Sequence, residues 1–174
     1  MNRLSAGVRR ISSWTLVVCV VIVAYASYFS YTTVQIHRGI GTSAYDFGLY
    51  DQGIWLLSRG QTPFVTLMGR NLFGDHTSFI LLLLVPLMWV FSSTSLLFVV
   101  QSVVIASGAI PVYAFARKQL ESDALGCVFA CTYLLYPAVS WTNVENFHPD
   151  SFLGLFIAVA LSDSVVCDSG LGFN

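Results

Sequence analysis

Three segments of the chain gather the side chains that could do chemistry. They read Tyr45-Asp46-Phe47-Gly48-Leu49-Tyr50-Asp51-Gln52, then Asn71-Leu72-Phe73-Gly74-Asp75-His76, then Glu145-Asn146-Phe147-His148-Pro149-Asp150. Carboxylates and imidazoles in company can bind a divalent cation or act as general bases. Each segment also has a purely architectural reading. Asp46 and Asp150 could cap helices, Gly74-Asp75 could be a turn, and His148-Pro149 could set a loop. What raises the chemical reading is that all three fall on one side of the hydrophobic pattern.

That pattern is the dominant signal. Hydrophobic residues make up 56% of the chain and charged residues only 10%, against about a quarter charged in soluble domains. No Asp, Glu, Lys or Arg occurs in residues 11–36, 77–116, 124–144 or 151–162. A helix needs roughly 20 apolar residues to cross a bilayer. The expectation is therefore an all-α, polytopic membrane helix bundle. Its spans are read at 14–36, 96–116 and 124–141, with an incomplete one at 151–161. Residues 162–174 read as an atypical tail, as if the chain were cut short or shifted in frame near Leu161.

Charge parity fixes the order of crossings. Arg3, Arg9 and Arg10 precede the first span and place the N-terminus in the cytoplasm, in a cell (plasma) membrane. The first span continues through Tyr28 and Tyr31, so it reads as a retained helix and not as a cleaved signal peptide. Arg117 and Lys118 fall in the cytoplasm only if the apolar stretch 77–116 crosses once. Residues 77–91, with Pro86 inside, are then an interfacial or re-entrant helix. A second interfacial helix is read at 46–58, capped by Asp46 and closed by Gly60, with Leu49, Trp55, Leu56 and Leu57 dipping into the headgroups. The result places His37, His76 and His148 outside with the three chemical segments.

Other classes are less favoured. The net charge of −1 argues against nucleic acid. Cys127 and Cys131 share a helix face and read as packing residues. Gln101 is the only strongly polar side chain deep in a span, which is thin support for a transporter.

The chain up to about Leu161 resembles the N-terminal part of a prokaryotic membrane protein family of unknown function. The resemblance rests on Tyr45 through Trp55, on Phe73-Gly74-Asp75-His76, on Tyr133-Leu134-Leu135-Tyr136-Pro137 and on Phe147-His148-Pro149-Asp150. That family in turn looks like the GT-C glycosyltransferases, such as the protein mannosyltransferases and aminoarabinose transferases. Those enzymes have an acid before an interfacial helix in the first outer loop, then a second interfacial helix, a basic cytoplasmic turn, and another outer acid. The order here is Asp46, residues 77–91, Arg117-Lys118 and Asp150. One departure is that Asp46 is followed by Phe47 where many such enzymes carry a second acid.

The resemblance implies an enzyme that moves a sugar from a polyprenyl-phosphate donor to an extracytoplasmic acceptor, or an inactive fragment of one. Asp46 would be the catalytic base. Asp51, Arg70, Asp75 and His76 would bind substrate. Glu145, His148 and Asp150 would hold a divalent metal, Mg or Mn. Membrane lipids and the polyprenyl-phosphate sugar would be its partners. The alternative is a non-catalytic membrane protein, a transporter or an assembly factor.

Overall fold

The first apolar run forms helix α1, Ser13–Arg38, begun by Ser12, whose hydroxyl accepts a hydrogen bond from the Trp14 amide. Its 26 residues extend about 39 Å, more than the ~30 Å of a bilayer's hydrocarbon. Leu16, Val20, Val23, Tyr28 and Tyr31 are exposed along it, while Val18, Tyr25 and Thr33 are buried against the rest of the chain. The computed structural model describes residues 12–74 and 77–168. Arg3, Arg9, Arg10, Asp75 and His76 lie outside those residues.

Helix α2 is Ala44–Ser58, and here the expected boundaries move. Its N-cap is Ser43, whose hydroxyl accepts from the Asp46 amide at 3.3 Å, and its C-cap is Arg59, not Gly60. The Ser-x-x-acid spacing puts the hydroxyl at the cap and the acid in the first turn. Asp46 is thus relieved of capping. Leu49 packs into the core, whereas Trp55 stays exposed.

A two-stranded antiparallel ribbon follows, β1 Phe64–Val65 and β2 Arg70–Asn71, which the all-α expectation did not include. Gly69 turns it with φ +65°, a conformation that suits a residue without Cβ. Gln52 ties it to α2, accepting from both the amide and the hydroxyl of Thr66 at 3.1 Å.

The segment expected as one interfacial helix is two pieces: a 3₁₀ helix, Phe79–Leu84, and α3, Val85–Val90. Pro86 stands in the first turn of α3, where its missing amide hydrogen costs nothing. Two six-residue pieces reach roughly 20 Å, too short to cross.

Helices α4, Ser95–Ser107, and α5, Ala109–Gln119, form one apolar rod, Ser95–Gln119, long enough to span. Helix α6, Asp123–Leu135, and α7, Pro137–Glu145, are bent by 42° and read as a broken third span. Pro137 accounts for the break, because proline removes a backbone donor and disfavours helical conformation in the residue before it. A 3₁₀ turn, Pro149–Phe152, leads into α8, Leu153–Asp168, which continues past the expected limit at Leu161.

Helix α1 packs against α4 and α6, and α5 against α6 and α8. Small residues allow the close approach: Ala106, Ala109 and Ala130 are buried, and a side chain on Gly126 would press on the Arg117 backbone. Cys127 belongs to this apolar core. At one end of the bundle His37 of α1 meets Thr94, and Tyr50 of α2 meets His148. At the other end Thr15 meets Tyr113, and Arg117 pairs with Asp123 at 3.4 Å. Residues 37–74, 77–94 and 142–152 therefore share an end, opposite the Arg117–Asp123 turn.

This arrangement makes a labelling prediction. In a cysteine-free background, the exposed positions Ser43, Glu121 and Glu145 are each changed to Cys. Impermeant maleimide added outside should reach the first and third, and Glu121→Cys only after permeabilisation. Labelling of Glu121→Cys together with silence at Glu145→Cys would mean that Phe79–Val90 crosses the membrane. Asn143 is unsuitable as a probe because it is fully buried.

Candidate functional site

Asp46 sits in the first turn of α2, and among the described residues no hydrogen bond reaches its carboxylate. Tyr50 is one helical turn further on the same face. The Tyr50 ring lies 5.6 Å from that of Phe147 and 6.4 Å from that of His148. The face of α2 that carries Asp46 thus turns toward the segment joining α7 to α8.

That segment is held by one buried side chain. Gln101 of α4 is fully buried and donates from Nε2 to the carbonyls of Asn146 at 2.8 Å and Thr142 at 3.2 Å. Its Oε1 accepts from the His148 amide at 2.8 Å and from the Ser151 hydroxyl at 3.3 Å. Next to it, Ser102 donates to Asn143 Oδ1 at 2.9 Å. The sequence marked Gln101 as an isolated polar group, but the structure makes it the anchor of the site. Asp150 follows Pro149 in the 3₁₀ turn, where His148 is the N-cap residue, so Asp150 too does no capping.

Glu145, His148, Asp150 and Ser151 line one cavity of about 590 Å³, walled by Tyr133 and Tyr136. On its other side Asp150 borders a second cavity of about 590 Å³, shared with Thr77, Ser78 and Phe156. The expected metal set is not assembled. Among the described residues no three His, Cys, Asp or Glu converge as ligands for an ion. The backbone explains why. Asn146 is fully extended, with φ −169° and ψ 178°, and carries Glu145 away from the turn. His148 is extended as well, with φ −136° and ψ 123°, and precedes the 3₁₀ turn that holds Asp150.

Asp51 lies on a different face of α2 and lines a third cavity, of about 440 Å³, with Trp55 and the 92–94 turn. Behind it His37 bridges Thr42 and Thr94 through its two ring nitrogens, at 3.1 and 3.2 Å, and packs on Phe47 and Phe98. Arg70 stands on β2 and borders none of these cavities. The structure therefore brings Glu145, His148 and Asp150 to one cavity and turns Asp46 toward them, but leaves Asp51 and Arg70 apart.

Residues 37–165 match the profile of a family described as "Predicted membrane protein (DUF2079)". This chain belongs to the DUF2079 family. No curated protein and no solved structure matches it. The DUF2079 match begins at His37 and takes in every candidate residue from Asp46 to Asp150. Sequence reasoning gave no site role to Tyr50 or Gln101, which the structure places against the loop that carries His148. The one available signal for Tyr50 was its spacing of four from Asp46.

In this DUF2079 chain, burial pushes Asp51 above the usual carboxylate range, partly offset by the positive charge of His37. The folded chain therefore holds the Asp51 proton more tightly than the unfolded chain does. This contribution to stability is complete below the ordinary value near 4 and is lost as pH rises through the raised folded value. Asp51→Asn removes the penalty on the charged form. Its thermal midpoint, followed by tryptophan emission, should exceed that of the parent near neutral pH and converge with it at about pH 4. A difference that does not change with pH would show that Asp51 is not so perturbed.

Proposed function

We propose that this DUF2079 chain carries part of a GT-C-like glycosyltransferase site, working at the outer face of the cell membrane with its N-terminus in the cytoplasm. The observation that carries the reading is the placement of two acids freed from capping. Asp46 and Asp150 lie at one end of the bundle, linked through Tyr50 and His148, beside cavities of ligand size. The cavity that Asp150 shares with His148 also has apolar walls, in Ile105, Val139 and Gly154, and so suits a molecule that is polar at one end.

In this reading the acceptor hydroxyl attacks the anomeric carbon of a polyprenyl-phosphate sugar. Asp46 takes the hydroxyl proton as the new C–O bond forms. The bond from the anomeric carbon to the phosphate oxygen breaks, and polyprenyl phosphate leaves. His148 faces the departing phosphate, and Arg70 and His76 serve the donor. A divalent ion, Mg or Mn, would find its protein ligands among Glu145, His148 and Asp150 and would supply positive charge to the leaving phosphate. A transporter has less to work with, since the Gln101 amide is spent at both ends on the loop.

The test is transfer itself. A full-length family member in nanodiscs is given polyprenyl-phosphate donors radiolabelled in mannose, glucose or aminoarabinose, with membrane lipid and peptide acceptors. Movement of label to an acceptor is the expected result. No turnover of any donor by a folded full-length protein would overturn the reading.

A further inference from the structure

The cavity beside Asp51 differs in kind from those beside Asp150. It lies between α2 and the 92–94 turn, and its volume of about 440 Å³ is within the range of small-ligand sites. Asp51 and Trp55 are one helical turn apart and line the same wall. The indole is 46% exposed and carries the Arg59 guanidinium over its ring at 5.6 Å. Opposite stand the exposed residues Ser92, Ser93 and Thr94, and Met88 gives a buried apolar floor.

We propose that this cavity binds a single uncharged saccharide ring, with Trp55 as its apolar platform and with Asp51, Ser93 and Thr94 bonding its hydroxyls. Three features select that ligand class. Among the described residues no Lys or Arg lines the cavity, so a phosphate or other anion would meet only a carboxylate. A bare cation fits poorly, because one carboxylate stands alone there and His37 lies close behind it. A sugar satisfies both halves of the wall. Its C–H face covers indole, while adjacent hydroxyls donate to the two oxygens of one carboxylate. The burial that raises Asp51 also removes competing water, which favours ligand donors at that position.

Asp51 lies about 140° round the helix from Asp46, so the site stands apart from the proposed transfer site and does not depend on it. Binding can be read without any transfer. Trp14, Trp89 and Trp141 are changed to Phe, leaving Trp55 as the sole tryptophan. The protein in nanodiscs is titrated with methyl hexosides of the gluco, manno and galacto series and with their 2-acetamido forms. Inorganic phosphate and MgCl₂ serve as controls. At least one hexoside should change Trp55 emission saturably, and neither control should.

In Asp51→Ala the half-saturation concentration should rise roughly tenfold or more, as expected for the loss of hydrogen bonds to a charged acceptor. Asp46→Asn should leave it unchanged. Should Asp51→Ala not fold, Ser93→Ala gives the same reading from the other wall. No saturable response to any hexoside, an equal response in the variants, or a response to MgCl₂ or phosphate alone would each overturn the proposal. A protein that binds hexoside but never transfers sugar would sink the enzyme reading and leave this one standing.

Discussion

A full-length family member with Asn at the position of Asp46 should fold normally and lose sugar transfer by about 10²–10⁴-fold, the usual contribution of a general base. The amide matches the carboxylate in shape but cannot take a proton. The helix start should not suffer, because the cap is made by the Ser43 hydroxyl on the Asp46 backbone amide, which Asn retains. The informative control is Ser43→Ala. It removes the cap, weakens the helix by about 1 kcal/mol, and leaves the carboxylate in place. Stability should therefore fall with Ser43→Ala and activity with Asp46→Asn. If the Asn variant keeps its activity, Asp46 is not the base.

Gln101→Leu should be among the most destabilising single changes in the chain, by about 3–5 kcal/mol. Leucine keeps most of the volume and removes every hydrogen bond. It strands the Asn146 carbonyl and the His148 amide, each buried polar group costing about 1–3 kcal/mol when unpaired. Phe147, fully buried between them, then loses the backbone that positions it. Two measurements check this. The thermal midpoint should drop well beyond that of an exposed control such as Val103→Ala. An added Asn143→Cys thiol, silent in the parent, should become reactive. Gln101→Glu should be no milder, since an ionised carboxylate would face the Asn146 and Thr142 carbonyls as an unpaired buried charge. A small loss with the thiol still silent would remove Gln101 from its anchoring role.

Much of the helical frame was legible because a bilayer imposes its thickness on the sequence. The apolar runs at 14–36 and 96–116 lie within Ser13–Arg38 and Ser95–Gln119, and Phe79–Val90 is a shorter apolar stretch. Local chemistry was less legible. Both Ser43 and Asp46 are good caps, and only the backbone shows that the serine takes the position. The ribbon at Phe64–Asn71 has two-residue strands, too short for any alternation to appear. Pro137 sat in plain view within an apolar run, yet a hydropathy reading passes over a bend that keeps the run apolar. The site suffered most. Gln101 and His148 are 47 residues apart, and no spacing rule connects a glutamine in one span to a loop beyond the next. Nor could the sequence show that Glu145, His148 and Asp150, close in order, would line one cavity without converging as a set of ion ligands.

The pairing of α1 with helices far along the chain, α4 and α6 above all, also has a cost in time. Thr15 meets Tyr113, which is 98 residues later in the chain. At a synthesis rate of about 5–20 residues per second, α1 waits roughly 5–20 s for that partner to be made. Its composition suits the delay, since Thr33, buried in the finished bundle, returns its hydroxyl to the Phe29 carbonyl of its own helix at 2.7 Å. The first helix therefore needs no neighbour to satisfy that group. The bundle can be assembled in the order in which it is translated, with each later helix closing on one already at rest.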